Sequence, residues 1–165
     1  MLTVIARFIV NLIYKVNGTV SAYAKKNPGD DIVFAGAAKG VIYEISSDVE
    51  RSVKWVTARR AVLLLTKQAI IHGNLRISLK DVKQAEIILF NSFLTKGMVL
   101  RINTTDEKQH QFGITFDESL LNQKSLELTV SNEKVKHSPL SILARILLVV
   151  IIVREIYLRF IVWTN

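Results

Sequence analysis

The feature that most constrains this chain is a long apolar segment near its C-terminal end. Residues 139–163 are almost wholly apolar, and eight aliphatic residues within them follow one another without interruption. The 24 residues from Leu140 to Trp163 exceed the length of about 20 that a bilayer span needs. Apolar side chains point in every direction when the segment is projected as a helix, so it is not an ordinary half-exposed surface helix.

Four charged residues in this segment, Arg145, Arg154, Glu155 and Arg159, leave two interpretations open. Charges are costly at the centre of a bilayer, although Arg145 can snorkel and Glu155 can pair with Arg159 one turn on. The first interpretation is a transmembrane or deeply inserted helix, and the second is a helix buried in the domain or in an oligomer interface. In the first, the membrane-inserting residues are Ile146, Leu147, Leu148, Val149, Val150, Ile151, Ile152 and Val153.

Residues 2–16 predict an amphipathic helix, which we expect Gly18 to end. At 100° per residue, seven apolar side chains fall within one arc of roughly 140°. They are Leu2, Ile5, Phe8, Ile9, Leu12, Ile13 and Val16, and the polar row on the opposite side is Thr3, Arg7, Asn11 and Lys15. Three interpretations stand: the apolar stripe packs on its own domain, it lies in a membrane interface, or the segment is a signal peptide cleaved near Ala22-Tyr23-Ala24.

Between these ends the chain predicts antiparallel β structure. About seven to nine short strands recur at a spacing of eight to twelve residues, which is typical of a sandwich or small barrel. No long helix separates the strands, which disfavours a parallel α/β sheet. The expected strands are 32–36, 40–45, 52–57, 61–66, 69–72, 75–79, 86–90, 98–103 and 109–116, with a last one at 125–130. Lys80 to Val82 predicts a turn or helical kink, and Asp117, Glu118 and Ser119 predict the start of a short helix.

Three segments in order carry a family resemblance. They are Val62–Ile71, a strand ending in Thr with a tight turn into an apolar strand; Leu75–Val82, ending in Leu-Lys-Asp-Val; and Lys96–Ile102, followed after a polar turn by Gln111-Phe112-Gly113-Ile114. This order resembles the pleckstrin-homology-like (PH-like) superfamily, particularly GRAM and bacterial PH-like domains, over residues 31–116. The resemblance implies a curled seven-stranded sheet closed by a C-terminal helix, binding to lipid headgroups or a protein, and no catalysis. Because residues 117–130 are not clearly amphipathic, the closing helix is either short or supplied by residues 139–163.

Candidate catalytic and metal-binding residues are sparse. The chain has no Cys, which excludes a disulfide scaffold, a thiolate metal site and a Cys nucleophile. His72, His110 and His137 have no partners at metal-ligand spacing, and no phosphate loop, nucleophile elbow or HExxH motif is present. The acidic pairs Asp30-Asp31 and Asp117-Glu118 are explained by a turn and a helix N-terminus. We therefore expect a non-enzymatic protein with no cofactor and no metal.

The net charge of +8 is concentrated in the middle of the chain. Residues 51–83 hold eight basic side chains and one acidic side chain. These residues either form solvated strand faces or oppose anionic lipid, to which each contributes about 1 kcal/mol near the surface. Nucleic acid is disfavoured because Trp55 is the only aromatic residue in this region. The candidate lipid-binding residues are Arg59, Arg60, Lys67, Arg76 and Lys80.

The sequence therefore predicts a mainly β protein with flanking helices, in three parts: residues 1–27, 28–137 and 138–165. The first functional hypothesis is a membrane-associated PH/GRAM-like module on the cytoplasmic face, which binds anionic headgroups or a protein partner. In it the N-terminal helix lies on the bilayer surface and the C-terminal helix inserts. The alternative is a soluble homo-oligomeric scaffold whose terminal helices form core or subunit interface.

Overall fold

The architecture was established from a computed structural model of the 165-residue chain. The structure describes residues 2–44, 50–51, 55, 57–91, 96–132, 136–137, 147, 150–151, 153–155 and 157. Its helices are α1 (Leu2–Ile13), α2 (Val16–Lys26) and α3 (Glu118–Asn122), with a 3-10 turn at Leu79–Asp81. Its strands are β1 (Ile32–Glu44), β2 (Glu50–Arg51), β3 (Arg59–Thr66), β4 (Ala69–His72), β5 (Leu75–Ser78), β6 (Val82–Asn91), β7 (Lys96–Thr104), β8 (Lys108–Thr115), β9 (Thr129–Asn132) and β10 (Lys136–His137).

A mixed, eight-stranded sheet in the order β5-β4-β3-β1-β8-β7-β6-β9 forms the body of the described chain. The long strand β1 joins its two halves. Residues 32–40 of β1 pair with β3 and residues 38–44 pair with β8, both in antiparallel register. Consecutive strands β3, β4 and β5 extend one half as a meander, and β6, β7 and β8 form the other. The expectation of a mainly β protein with flanking helices is confirmed.

The core follows from the two-residue period of the strands. In β3, Leu63 and Leu65 point into the main core with Phe112 of β8 and Leu100 of β7. The alternate residues of β3 point to the other face of the sheet, where Val62 and Leu64 pack against the helical segment through Val16. One strand with five consecutive buried residues is thus explained by apolar partners on both faces.

Three sequence expectations about strands are corrected. The runs 32–36 and 40–45 form one strand over their described residues, because Ala37 and Ala38 continue the pairing between them. Residues 52–57 are not a strand where they are described: Trp55 lies in a single 3-10 turn and Thr57 in a bend. The indole of Trp55 instead packs on the outer face of the sheet. The strand expected at 125–130 is β9, which covers Thr129–Asn132 and pairs with β6 in parallel, so the sheet is not wholly antiparallel.

The N-terminal helix also ends earlier than expected. It stops at Ile13, and Lys15 takes a left-handed backbone conformation with φ of 53° before α2 begins at Val16. Gly18 therefore lies inside α2 rather than at a helix end. The break gives α2 its own direction, so that Val16, Val20 and Tyr23 pack on the outer face of the sheet.

The helix that follows β8 is short. Asp117 caps α3 by accepting the Ser119 backbone N–H at 3.0 Å, and Leu120 of α3 is fully buried in the main core. The N-cap hydrogen bond and the buried side chain of Leu120 together hold this five-residue helix in place. The predicted helix start at Asp117, Glu118 and Ser119 is confirmed.

Candidate functional site

The polar face of α1 is turned toward the β domain. Arg7 Nη1 lies 2.8 Å from Asp117 Oδ1, and this carboxylate is largely buried. One turn further along α1, Asn11 Oδ1 accepts the Ala37 backbone N–H at 3.2 Å, next to the residue at which the β1–β8 pairing begins. Both contacts satisfy polar groups of the domain that would otherwise need water. The two polar side chains at i and i+4 therefore attach α1 to the sheet.

The apolar face of α1 consequently points to solvent. Phe8, Leu12 and Ile13 are 68–69% exposed, which is unusual for three large apolar side chains on one helix. Six residues form this surface, which we call the apolar face of α1: Val4, Ile5, Phe8, Ile9, Leu12 and Ile13. Among the six stripe residues whose burial the structure describes, Val16 alone is buried, and it belongs to α2. The expectation that the stripe packs on its own domain is wrong for the five residues from Ile5 to Ile13.

The C-terminal segment adds further exposed apolar residues. Leu147, Val150, Ile151 and Val153 are helical and 46–59% exposed. Ile146, Leu148, Val149 and Ile152, which belong to the same predicted inserting run, lie outside the described residues. Within the part of the chain that the structure describes, no helix combines the length and the apolar character needed to cross a bilayer.

The five candidate lipid-binding residues fall into two groups. Arg59 and Arg60 are exposed at the beginning of β3. Lys67 follows the end of the same strand, in the tight turn into β4. The turn brings it beside Arg76 of β5 and Lys80 of the 3-10 turn, and these three cations line a cleft of about 370 Å³.

Two consecutive carboxylates border this cleft. The Asp31 carboxylate lies 2.6 Å from Lys67 Nζ, and both side chains are about two-thirds exposed. This hydrogen-bonded pair lowers the pKa of Asp31 and raises the pKa of Lys67. The sequence predicts that Asp30 and Asp31 are turn residues. Their proximity to the cations follows from the pairing of Ile32 with Thr66, which places the start of β1 beside the end of β3.

Asp30 belongs to a second small network with α2. The Tyr23 hydroxyl donates to Asp30 Oδ2 at 2.7 Å and accepts from Arg76 Nη1 at 3.2 Å. Burial, followed by the bond to Asp30, raises the pKa of Tyr23. The guanidinium of Arg76 lies 3.9 Å from Asp30, which is too long for a direct hydrogen bond. The sequence pattern does not single out Tyr23, because its hydrogen bonds with Asp30 and Arg76 depend on where α2 packs on the sheet.

Two of the three histidines are buried beside a core aromatic ring. The rings of His72 and His110 both lie near that of Phe112, at centroid distances of 5.2 and 6.5 Å. His72 Nε2 lies 3.3 Å from the Ala38 carbonyl oxygen, and burial lowers the pKa of both histidines. Among the described residues, no group of three His, Asp or Glu side chains is arranged to hold a metal ion. His137 lies in β10.

Comparison with known proteins gives no family assignment: neither a protein-family model nor a curated protein matches the sequence. The exposed apolar face of α1 and the cationic cleft are therefore the two features of the molecule that bear on function.

Proposed function

We propose that this chain is a non-enzymatic, membrane-associated module of PH-like architecture. It binds anionic lipid headgroups or a protein partner at the cytoplasmic face of a membrane. The observation that carries the proposal is the orientation of α1, which turns its polar side toward the domain and its apolar side toward solvent. Its polar residues Arg7 and Asn11 are bound to the domain, and its six-residue apolar face is exposed.

The energetics of this helix favour a membrane surface. Burying a side chain such as Phe8 or Leu12 is worth about 1.5–3 kcal/mol. An amphipathic helix gains this energy by placing its apolar face at the boundary between headgroups and acyl chains. Because α1 is already attached to the sheet through two polar contacts, it presents this face without losing contacts to the domain. The net charge of +8 adds attraction to anionic lipid.

The C-terminal apolar segment provides a second anchor in this proposal. One apolar helix alone gives reversible binding, and a second one linked to it makes residence on the membrane stable. The inserting residues are those of the uninterrupted aliphatic run, residues 146–153. Their exposed members Leu147, Val150, Ile151 and Val153 are the described part of this anchor.

The strand order supports the PH-like part of the proposal. Leaving aside β2, β9 and β10, seven strands form a four-stranded meander (β1, β3, β4, β5) and a three-stranded one (β6, β7, β8), joined where β1 pairs with β8. A helix follows β8 and places Leu120 in the core. The additions are the parallel strand β9 and the helices α1 and α2 on the outer face.

Vesicle flotation tests the proposal. The substitution Phe8→Asp/Leu12→Asp removes two exposed apolar side chains without disturbing a buried contact. At about 2 kcal/mol each, we expect at least 100-fold weaker binding to anionic vesicles. Ile42→Asp/Val130→Asp is the matched control, since it adds the same two negative charges at exposed apolar residues of β1 and β9. Unchanged binding of Phe8→Asp/Leu12→Asp, or an equal loss in the control, contradicts the proposal.

The same variants separate the membrane module from the soluble oligomeric scaffold. If the apolar face of α1 is a subunit interface, then Phe8→Asp/Leu12→Asp lowers the mass measured by light scattering and leaves vesicle binding unchanged.

For the C-terminal anchor, the full-length protein in a membrane fraction is washed with high salt, alkaline carbonate and detergent in turn. Release by detergent alone supports an integral anchor, and release by salt or carbonate contradicts it.

A further inference from the structure

The cleft beside the β3–β4 turn gathers three cations from three different elements. Lys67 is in the turn, Arg76 is in β5 and Lys80 is in the 3-10 turn. The strand register explains the convergence, because Ile71 of β4 pairs with Arg76 and the Leu79 N–H donates to the Gln68 carbonyl at 2.9 Å. The remaining lining residues are Gln68, Ala69, Ser78 and Leu79.

The charges around the cleft leave it available to an anion. Lys80 forms no ion pair with any residue that the structure describes, and Arg76 has its nearest carboxylate oxygen at 3.9 Å. Lys67 is paired with Asp31, but both side chains are about two-thirds exposed. Exposed pairs of this kind are weak because water and salt compete with them. With Asp30 and Asp31 included, the five side chains carry one net positive charge.

A phosphomonoester matches these groups better than the Asp31 carboxylate does. It carries a charge of about −1.5 to −2 at neutral pH and three acceptor oxygens. The Arg76 guanidinium can bind two of those oxygens in a bidentate manner, and a lysine ammonium binds as a compact point charge. A volume of about 370 Å³ is near the lower end of the range of about 300–1,000 Å³ for ligand pockets. The cleft therefore suits a small phosphorylated group.

The other two candidate cations are too far away to contribute. Arg59 begins the eight-residue strand β3, and Lys67 directly follows its end. At about 3.3 Å per residue, the two positions are separated by roughly 25 Å. Arg59 and Arg60 are exposed, so neutralising them changes the net charge of the protein without changing the cleft.

We infer that Lys67, Arg76 and Lys80 form a binding site for a phosphomonoester, with Asp31 as an internal competitor for Lys67. The shared chemistry is that of free phosphate compounds and of phosphorylated lipid headgroups. The inference deepens the proposed function, and it rests on that proposal only for the lipid as the source of the phosphate.

Calorimetric titration of the full-length protein with glycerol 3-phosphate tests the site directly. We expect Lys67→Gln/Lys80→Gln to weaken binding at least tenfold. The control Arg59→Gln/Arg60→Gln removes the same charge and is expected to change binding less than twofold. Arg76→Lys keeps the charge and loses the bidentate contact, so we expect an intermediate loss. Asp31→Asn removes the competitor and is expected to tighten binding about threefold to tenfold.

Absence of binding to the wild-type protein overturns the inference, and so does an equal loss in the Arg59→Gln/Arg60→Gln control. A second arm identifies the source of the phosphate with vesicles containing phosphatidic acid or, at equal charge, phosphatidylserine. Preference for phosphatidic acid that Lys67→Gln/Lys80→Gln abolishes supports a lipid source. Binding of glycerol 3-phosphate without this preference supports a soluble source. A failure of the membrane proposal is detected separately: Phe8→Asp/Leu12→Asp then floats with vesicles to the same extent as the wild-type protein.

Discussion

Arg7 of α1 and Asp117, the N-cap residue of α3, are joined by a salt bridge of 2.8 Å. The same carboxylate accepts hydrogen bonds from the Ser119 N–H and hydroxyl at 3.0 and 2.8 Å. One carboxylate thus caps α3, which places Leu120 in the core, and holds α1, which exposes its apolar face. The position of α1 is therefore linked to the N-terminus of α3.

Replacing Arg7 with alanine should loosen α1 without unfolding the sheet. The salt bridge is partly exposed, so we expect a loss of about 1 kcal/mol in the free energy of unfolding. Hydrogen exchange of the α1 amides should accelerate, since Asn11 and the partly buried side chains of Val10 and Tyr14 then hold the helix without the ion pair. Arg60→Ala is the control, because exposed substitutions of this kind usually stay within about 0.5 kcal/mol. Unchanged protection of α1 in Arg7→Ala would contradict this role.

Replacing Leu120 with alanine tests whether α3 closes the core. Leu120 is fully buried, and removing such a side chain leaves a cavity that costs about 2–5 kcal/mol. Leu121, its neighbour on α3, is only partly buried, so Leu121→Ala should cost clearly less. Urea denaturation measures both. Equal costs for the two variants would show that α3 lies on the surface rather than sealing the core.

The strands between Ala61 and Phe116 were predictable because each is a short apolar run with a local turn at its end. The strands predicted at 61–66, 69–72 and 109–116 match β3, β4 and β8 to within two residues at their ends. Local pattern was insufficient where pairing depends on distant partners. The parallel register of β9 is set by β6, with Glu86 opposite Thr129, and a sequence pattern does not encode which neighbour a strand will find.

The orientation of α1 is another feature that the local sequence pattern does not encode. Periodicity predicted two faces and correctly separated Arg7 and Asn11 from the apolar residues. It did not predict which face meets the domain, because the partners Asp117 and Ala37 are brought there by the fold. The count of basic residues likewise gave five candidate cations. Only the strand register shows that Lys67, Arg76 and Lys80 line one cleft and that Arg59 and Arg60 lie apart from it.

Two glycine-to-alanine substitutions should have opposite effects. A Cβ at Gly40 would lie 2.7 Å from the buried ring of His72 and 3.2 Å from that of Phe112. Overpacking of this kind costs about 1–3 kcal/mol. Gly18, in α2, has no atom within 4 Å of its Cβ position, and alanine there should stabilise by about 0.5–1 kcal/mol. Thermal denaturation of both variants tests this sign difference, and destabilisation by Gly18→Ala would contradict it.

The stability of the fold should fall as the pH drops below about 6.5. Burial lowers the pKa values of His72 and His110 from the ordinary value of 6.5. Between the two values the unfolded chain binds more protons than the folded one, so acidification favours unfolding. The stabilisation is complete above the unfolded pKa and is lost as the pH falls toward the folded pKa. Each histidine contributes a slope of up to about 1.4 kcal/mol per pH unit.

Urea denaturation at pH 7.5, 6.5, 5.5 and 5.0 measures this slope. His110→Gln should reduce it by about half, because one of the two titrating groups is removed, while His72 remains beside Phe112. The two carboxylates with lowered pKa values act below this range: the pKa of Asp106, held by Lys108 and Thr104, is about 2, and the pKa of Asp31 is also lowered. A flat profile from pH 7.5 to 5.0 in the wild-type protein would show that the two histidines gain protons in the folded state as readily as in the unfolded chain.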